Sequence, residues 1–287
     1  LSIKDFADEI IFVDNESDDK SLQIAESIKS EYQLDKLSIH TFPKIDGRRY
    51  RLHMLYEYAF GLASKSWVFK WDADFVARTN QRFSIMQLKR IWWRHRDKVD
   101  AFRLCGVNLF GDHLHYLNSP PSDGEYRYEK YLWRNSNYEF VEGVKYEGVK
   151  WQHPRVRRIG PRARPWDRRV YFFHLQGLKS DMRISERGTI GGWWKYSLQS
   201  DAKDSYDDWI ADKTGTRDRK EQARSSMSSK LQKLKKHKRL CSLWGGYPTV
   251  MKSYLDNPKY EVKYREGQPC ERVLRYNGAV PDPDVRN

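Results

Sequence analysis

KSWVFKWDADFVART, residues 65–79, runs from an apolar stretch, Trp67-Val68-Phe69, into two carboxylates one residue apart, Asp72 and Asp74. An Asp-x-Asp met in isolation is most often a turn, because the aspartate side chain bonds nearby backbone groups. Two acids this close also repel, and burying both is costly unless a cation sits between them. A hard divalent ion, Mg2+ or Mn2+, takes such oxygens and keeps substrate phosphates among its other ligands. These residue types therefore point to a metal–diphosphate site. A second acidic turn stands upstream. EIIFVDNESDDKS, residues 9–21, is an apolar run closed by Asp14, Asn15 and Ser17. A histidine, His174, lies in a third apolar run, RVYFFHLQG, residues 169–177.

The elements that must position these groups are legible from periodicity. The run before Asp14 predicts a buried strand. Leu22, Ala25 and Ile28 have helical spacing over residues 21–32, and LSIHTF (37–42) alternates as a short strand. Leu52, Leu55, Tyr56, Ala59 and Phe60 trace one helix face before the strand that leads to Asp72. Strand, helix, strand, helix, strand is the rhythm of a parallel α/β sheet, in which ligands sit beyond the carboxyl ends of the strands. Both acidic turns fall at such ends. Ile85, Leu88 and Trp92 predict a further helix, AFRLCGVNLF (101–110) a further strand, and 169–177 a strand ending at His174. Residues 112–150 read as irregular loops with short strands. The last 45 or so residues read as a loosely structured extension.

Composition limits the alternatives. The chain has 287 residues, 39% hydrophobic and 14% aromatic, enough to build a core. No apolar run approaches the ~18 residues of a membrane span. Three scattered cysteines, Cys105, Cys241 and Cys270, form neither a disulfide framework nor a zinc cluster, and the N-terminus shows no secretory signal. A reducing cytoplasm is the expected compartment. The net charge of +14 is concentrated in two places. Lys213–Arg239 carries eleven Lys/Arg against Asp218 and Glu221, and Arg155–Arg169 carries seven Arg against Asp167. The remainder is close to neutral. Two basic patches on a neutral globule predict anionic partners: diphosphates, lipid headgroups or nucleic acid. Residues 213–239 read either as a basic, Ser-rich helix or as a flexible tail.

FADEIIFVDNESDDKS, followed about fifty residues later by WVFKWDAD, resembles the family 2 nucleotide-sugar glycosyltransferases of the GT-A fold. YLWRNSNYEFVEGVKYE (131–147) is similar to that family's Leu-x-Arg-Asn…Gly-x-x-His-Glu segment, and FFHLQG to its His-x-x-Gly element. The four motifs occur in the family's order over about 170 residues. The departures are specific. The family's His-Glu pair reads Tyr146-Glu147 here. The Arg-Asn pair that precedes Asp-x-Asp is absent, with Arg49 and Arg51 nearby. The resemblance also expects a first strand upstream of residue 1.

The resemblance implies a GT-A, Rossmann-like, mostly parallel sheet flanked by helices over residues 1–180. Residues 181–287 would form an irregular basic extension containing the 213–239 segment. It further implies a metal-dependent inverting glycosyltransferase with Mn2+ or Mg2+ as cofactor. Asp14, Asn15, Ser17 and Asp72 would bind the nucleotide sugar, and Asp72 and Asp74 the metal. His174 is either a third protein ligand or a hydrogen-bonded core histidine. Glu147 aligns with the family's glutamate and is the first candidate for the base that takes the acceptor hydroxyl's proton, with Glu142 second. The arginines of 155–169 either contact phosphate or form a solvated basic loop. Trp133, Tyr138, Trp151 and Trp166 stack on sugars or pack. The expected acceptor is a surface polysaccharide or lipid-linked glycan at the inner membrane face, where an anionic surface attracts the basic segment. Two alternatives stand: sugar transfer to a modified DNA base, with nucleic acid as partner, and a GT-A domain that binds nucleotide sugar without turnover.

Overall fold

The computed structural model describes residues 1–17, 19–43, 52–79, 84–115, 129–135, 138–140, 149–151, 156–159, 171–179, 184, 205–225, 227, 231, 247–256, 258–263 and 271–274. The periodic segments form the predicted elements. Strand β1 (Ile10–Asp14) leads to helix α1 (Ser21–Glu31), strand β2 (Leu37–Thr41) and helix α2 (Leu52–Gly61). Helix α1 ends where Gln33 adopts a left-handed conformation, φ 48°. Next come β3 (Trp67–Phe69), β4 (Phe75–Ala77), α3 (Ile85–His95) and the ten-residue β5 (Ala101–Phe110). Strands β6 (Glu129–Arg134), β7 (Tyr138–Phe140), β8 (Val149–Trp151), β9 (Val156–Ile159) and β10 (Phe172–Gly177) follow.

The fold is mixed α/β, assembled from small sheets. Strands β1 and β2 pair in parallel, as the strand–helix–strand rhythm requires. The largest sheet has the order β3-β6-β5-β10-β4, with β9 also on β5. It is mixed rather than mostly parallel. Strand β5 is parallel to β9 and β10, but β6 runs antiparallel to both β3 and β5, and β4 antiparallel to β10. The physical reason is local. β3 and β4 are separated by the five residues around Asp72 and Asp74, too few for a helical crossover, so β4 cannot return as a parallel neighbour of β3.

Strand β5 is the hub. Its first half lies between β6 and β9, and its second half carries β10. Phe102, Leu104, Val107 and Leu109 along it are fully buried. On one core, Phe75, Ala77, Ile85, Leu88, Phe102 and Phe172 pack together under α3. At two points on this sheet there is no room for a side chain on a glycine. A Cβ on Gly106 would lie 2.2 Å from the Phe172 ring, and one on Gly177 would lie 2.3 Å from the Leu109 carbonyl oxygen.

The described residues of the C-terminal part include regular elements. Helix α4 (Tyr206–Thr214) is capped by Ser205, whose hydroxyl accepts from the Asp208 N–H at 3.1 Å, and stops at Gly215, φ 72°. Residues 219–225, 227 and 231 are helical. Of the two readings of the basic segment, the helix holds for these residues. Ala223, Met227 and Leu231 form its buried stripe, and Met227 and Leu231 pack with Phe110, Ile184 and Val262. A 3-10 turn (Thr249–Met251), helix α5 (Lys252–Asp256) and the hairpin of β11 (Tyr260–Lys263) and β12 (Glu271–Leu274) complete the described residues. Strongly charged sequence hid the stripe, because its apolar positions are single residues four apart among Lys, Arg and Ser.

Candidate active site

The Asp72–Asp74 turn is built by its backbone. The Phe75 N–H donates to the Asp72 carbonyl at 3.0 Å and closes the turn, and the Trp71 indole N–H donates to the Phe75 carbonyl at 3.2 Å. Strand β10 then clamps it. His174 pairs with Phe75 in the β4–β10 ladder, and the Leu175 N–H donates to the Asp74 carbonyl at 2.8 Å. The consequence is that Asp74 and His174, one hundred residues apart in sequence, stand side by side. His174 Nε2 lies 3.4 Å from Asp74 Oδ1. That distance is a long polar contact rather than a short hydrogen bond. His174 is 2% exposed and its ring sits edge-on to Phe75, centroids 4.6 Å apart.

His174 does not end its strand. β10 continues to Gly177, and between His174 and Gly177 the register against β5 slips: three steps on β10 oppose two on β5, from Asn108 to Phe110. A bulge of this kind re-aims the side chains beside it and is common next to functional sites. It is the local feature that carries the chain past the Asp72–Asp74 turn to Lys179.

Each acid has its own lysine. Lys70 Nζ lies 2.9 Å from Asp72 Oδ1, and Lys179 Nζ 3.0 Å from Asp74 Oδ2. The Lys70 ammonium also lies 4.9 Å from the centroid of the Tyr56 ring. Burial pushes the Asp74 carboxyl up, but the adjacent His174 ring and the Lys179 ammonium outweigh burial and hold it well below the usual carboxylate range. The repulsion expected between two neighbouring acids is thus relieved by cations of the chain itself.

Asp14 ends β1 as predicted and is buried. Its Oδ2 accepts the Ser17 N–H at 2.8 Å, and its carbonyl accepts the Phe42 N–H at 2.7 Å. This is the turn-forming arrangement of an aspartate, with Glu16 in a left-handed conformation, φ 47°. Asn15 is half-buried and Ser17 exposed. Among the described residues no ladder joins the β1–β2 pair to the larger sheet. A side-chain clamp does: both Glu9 carboxylate oxygens accept from Ser64, one from its N–H and one from its hydroxyl, each at 3.0 Å. This fixes the start of β1 beside the segment that enters β3.

Glu142, Glu147, Arg49, Arg51 and Trp166 lie outside the described residues, as does most of the 155–169 arginine stretch. Trp133 is a packing residue: it is buried on β6 and stacks on Phe60, centroids 5.1 Å apart. Tyr138 and Trp151 pair with each other across the β7–β8 ladder. Among the described residues no three His, Cys, Asp or Glu side chains converge, so Asp74 and His174 are the pair and Asp72 faces Lys70. The donor set of this pair, one carboxylate and one imidazole, fits Mn2+ when substrate phosphates complete the shell.

Sequence reasoning missed both lysines, although Lys70 stands two residues before Asp72 and Lys179 five after His174. It also missed a buried pair at the end of β5. Asp112 Oδ1 lies 2.5 Å from His115 Nδ1 and accepts the Leu114 N–H at 2.9 Å, while Oδ2 accepts the Val262 N–H at 2.9 Å. Burial raises the Asp112 carboxyl, but the His115 and backbone hydrogen bonds outweigh it and hold the carboxyl below its ordinary value. The pair ties β5 to β11 and is structural. Compared with known proteins, the chain matches no protein-family model and no curated protein. No described helix is long and apolar enough to cross a membrane.

Proposed function

We propose that this chain is a metal-dependent inverting glycosyltransferase with a GT-A type catalytic region, which moves a sugar from a nucleotide-sugar donor to an acceptor hydroxyl. The observation that carries the reading is the Asp74–His174 encounter in the turn between β3 and β4. The resemblance requires these two residues, one hundred positions apart in sequence, to share a site. In this reading Asp74 and His174 hold Mn2+ or Mg2+, which supplies Lewis-acid stabilisation of the departing diphosphate. Among the described residues Lys179 and Lys70 are the cations paired with these acids, placed to exchange their carboxylate partners for phosphate oxygens. Asp14 serves the nucleotide from its turn at the end of β1. Glu147, or Glu142 in its place, takes the proton of the acceptor hydroxyl. The acceptor is a surface polysaccharide or lipid-linked glycan.

The test is turnover of a panel of nucleotide sugars with and without Mn2+, alongside a binding titration of nucleoside diphosphate. Manganese-dependent release of nucleoside diphosphate, lost in Asp74→Asn and in Glu147→Gln or Glu142→Gln, supports the proposal. Absence of both turnover and nucleotide binding overturns it. One observation favours a second reading: both acids already carry a lysine partner. A site neutralised in this way can bind a diphosphate through its lysines alone. Nucleotide affinity that survives chelation of the metal, with no turnover, selects that reading.

A further inference from the structure

We propose that the outward face of α3 docks this chain on an anionic lipid bilayer. The inner side of the helix is accounted for: Ile85 and Leu88 are fully buried, and Ile91 and Trp92 pack against the same core. The outer side carries Met86, Arg90 and Trp93, spaced four and three residues apart so that they share one face. Arg94 stands beside them. Trp93 is 64% exposed, the most exposed large hydrophobic among the described residues, and Met86 is 38% exposed. Between Met86 and Lys98 there are five cationic side chains, Lys89, Arg90, Arg94, Arg96 and Lys98, against the single acid Asp97. Lys89 is paired with Asp8 at 3.2 Å, and Arg96 lies 3.9 Å from Asp97. Among the described residues Arg90, Arg94 and Lys98 have no carboxylate partner.

An exposed tryptophan and methionine flanked by arginines that have no carboxylate partner among the described residues is the pattern of a helix that lies in a membrane interface. The indole sits at headgroup level, the arginines meet lipid phosphates, and the opposite face stays with the protein. Charge complementarity excludes a second copy of the chain on this face, because an isologous contact would set like charges against like. It also argues against a nucleic-acid strand. The Arg96 guanidinium lies 4.0 Å over the Trp93 ring and covers one face of it, and a convex helix offers no groove in which successive bases could stack. The inference is independent of the transferase reading, since none of these residues belongs to the Asp74 site.

Cosedimentation of the full chain with vesicles tests it. Probes are phosphatidylcholine vesicles and vesicles containing about one-third phosphatidylserine, in roughly 0.1 M and 0.5 M salt, so that screening varies. We expect binding to the anionic vesicles that weakens in high salt, and partitioning at least about ten-fold lower on neutral ones. Arg90→Gln with Arg94→Gln should lower the partition coefficient by about thirty-fold, about five-fold per arginine. Trp93→Ala should lower it too, in both salts. A control removes the same charge from the 219–231 helix: Lys220→Gln with Arg224→Gln should change little. Melting temperatures and far-UV circular dichroism confirm that every variant folds like the unsubstituted chain. Three results overturn the proposal: α3 variants that bind like the unsubstituted chain, a control pair as damaging as the α3 pair, or α3 variants that lose a single-stranded oligonucleotide while keeping vesicles.

Discussion

Asp74→Asn separates a cation site from a turn that merely contains aspartates, and the structure sets its size and sign. The substitution keeps the shape of the side chain and one acceptor oxygen but removes the charge. In the absence of ligand, that charge is held by Lys179 at 3.0 Å and His174 at 3.4 Å. Lys179 is 42% exposed, so its pair is discounted for solvent to about 0.5–1 kcal/mol. The contact with buried His174 adds a similar amount at most. We therefore expect Asp74→Asn to cost about 1 kcal/mol, a fall in Tm of roughly 2–3 °C for a chain of this size. Repulsion between Asp72 and Asp74 alone would have predicted no loss or a small gain. The carboxyl of Asp74 is held below its ordinary value, so its contribution is complete above about pH 4 and fades as pH falls through the depressed folded value. The difference between the two proteins should thus be full at pH 7 and shrink in acid. Addition of Mn2+ with nucleoside diphosphate at about one hundred times Kd should stabilise the unsubstituted chain by about 2.7 kcal/mol. It should leave Asp74→Asn where it was. Differential scanning calorimetry from pH 2 to pH 8, with and without ligands, measures all of this. A substituted protein that melts like the parent at pH 7 and gains as much from the ligands refutes the pairing and the metal role together.

Asp112→Ala should cost more, about 2–4 kcal/mol in urea unfolding, since it orphans the Val262 and Leu114 N–H groups in a buried place. Because the Asp112 carboxyl is also depressed, the loss should be greatest above about pH 4 and diminish in acid. Gly177→Ala meets backbone, the Leu109 oxygen at 2.3 Å and Phe110 Cα at 2.6 Å, so β5 and β10 must part, and we expect about 3 kcal/mol or more with the metal response lost. The three atoms nearest a Cβ at Gly106 all belong to the Phe172 ring, so the cost of Gly106→Ala, about 1–3 kcal/mol, should be largely relieved by adding Phe172→Leu, which a double-mutant cycle reads directly. Met227→Asp places a charge against Phe110, Ile184, Leu231 and Val262 and should cost at least about 3 kcal/mol, with the helix around it exposed to protease.

What the sequence made legible was local. The period-two and period-3.6 patterns located β1, α1, β2, α2, β3, α3 and β5 to within a residue or two, because each buries a face that shows in the order of its residues. The partners of β5 were not legible. Pairing direction is a property of distant segments, and nothing in Glu129–Arg134 states that it runs antiparallel to two neighbours. The site divides the same way. Asp72 and Asp74 announced themselves by their spacing, and His174 only through a resemblance. Lys70 and Lys179 did not, because a lone lysine in sequence is ordinarily a solvated charge. The same ambiguity concealed the stripe of Ala223, Met227 and Leu231, whose spacing is helical but whose neighbours are almost all charged or hydroxylated.

The division between backbone and side chain at the Asp72–Asp74 turn bears on how such a site could work. Position is fixed by main-chain bonds: Phe75 to Asp72, Leu175 to Asp74, and the β4–β10 ladder. These are made in a packed core beside Phe75 and Phe172, and exchanging them would disrupt the sheet. The carboxylates, by contrast, are held by ammonium groups on flexible stems. The Lys179 stem is partly exposed and can swing at a cost of about 1 kcal/mol or less. In the proposed transferase, a divalent ion would take Asp74 as a ligand and the phosphate would pair with Lys179. No element of the sheet has to move. The lysines therefore keep two adjacent acids compatible with a folded, unliganded protein, and under the transferase proposal the rigid turn would hold those acids where a cation could replace the lysines.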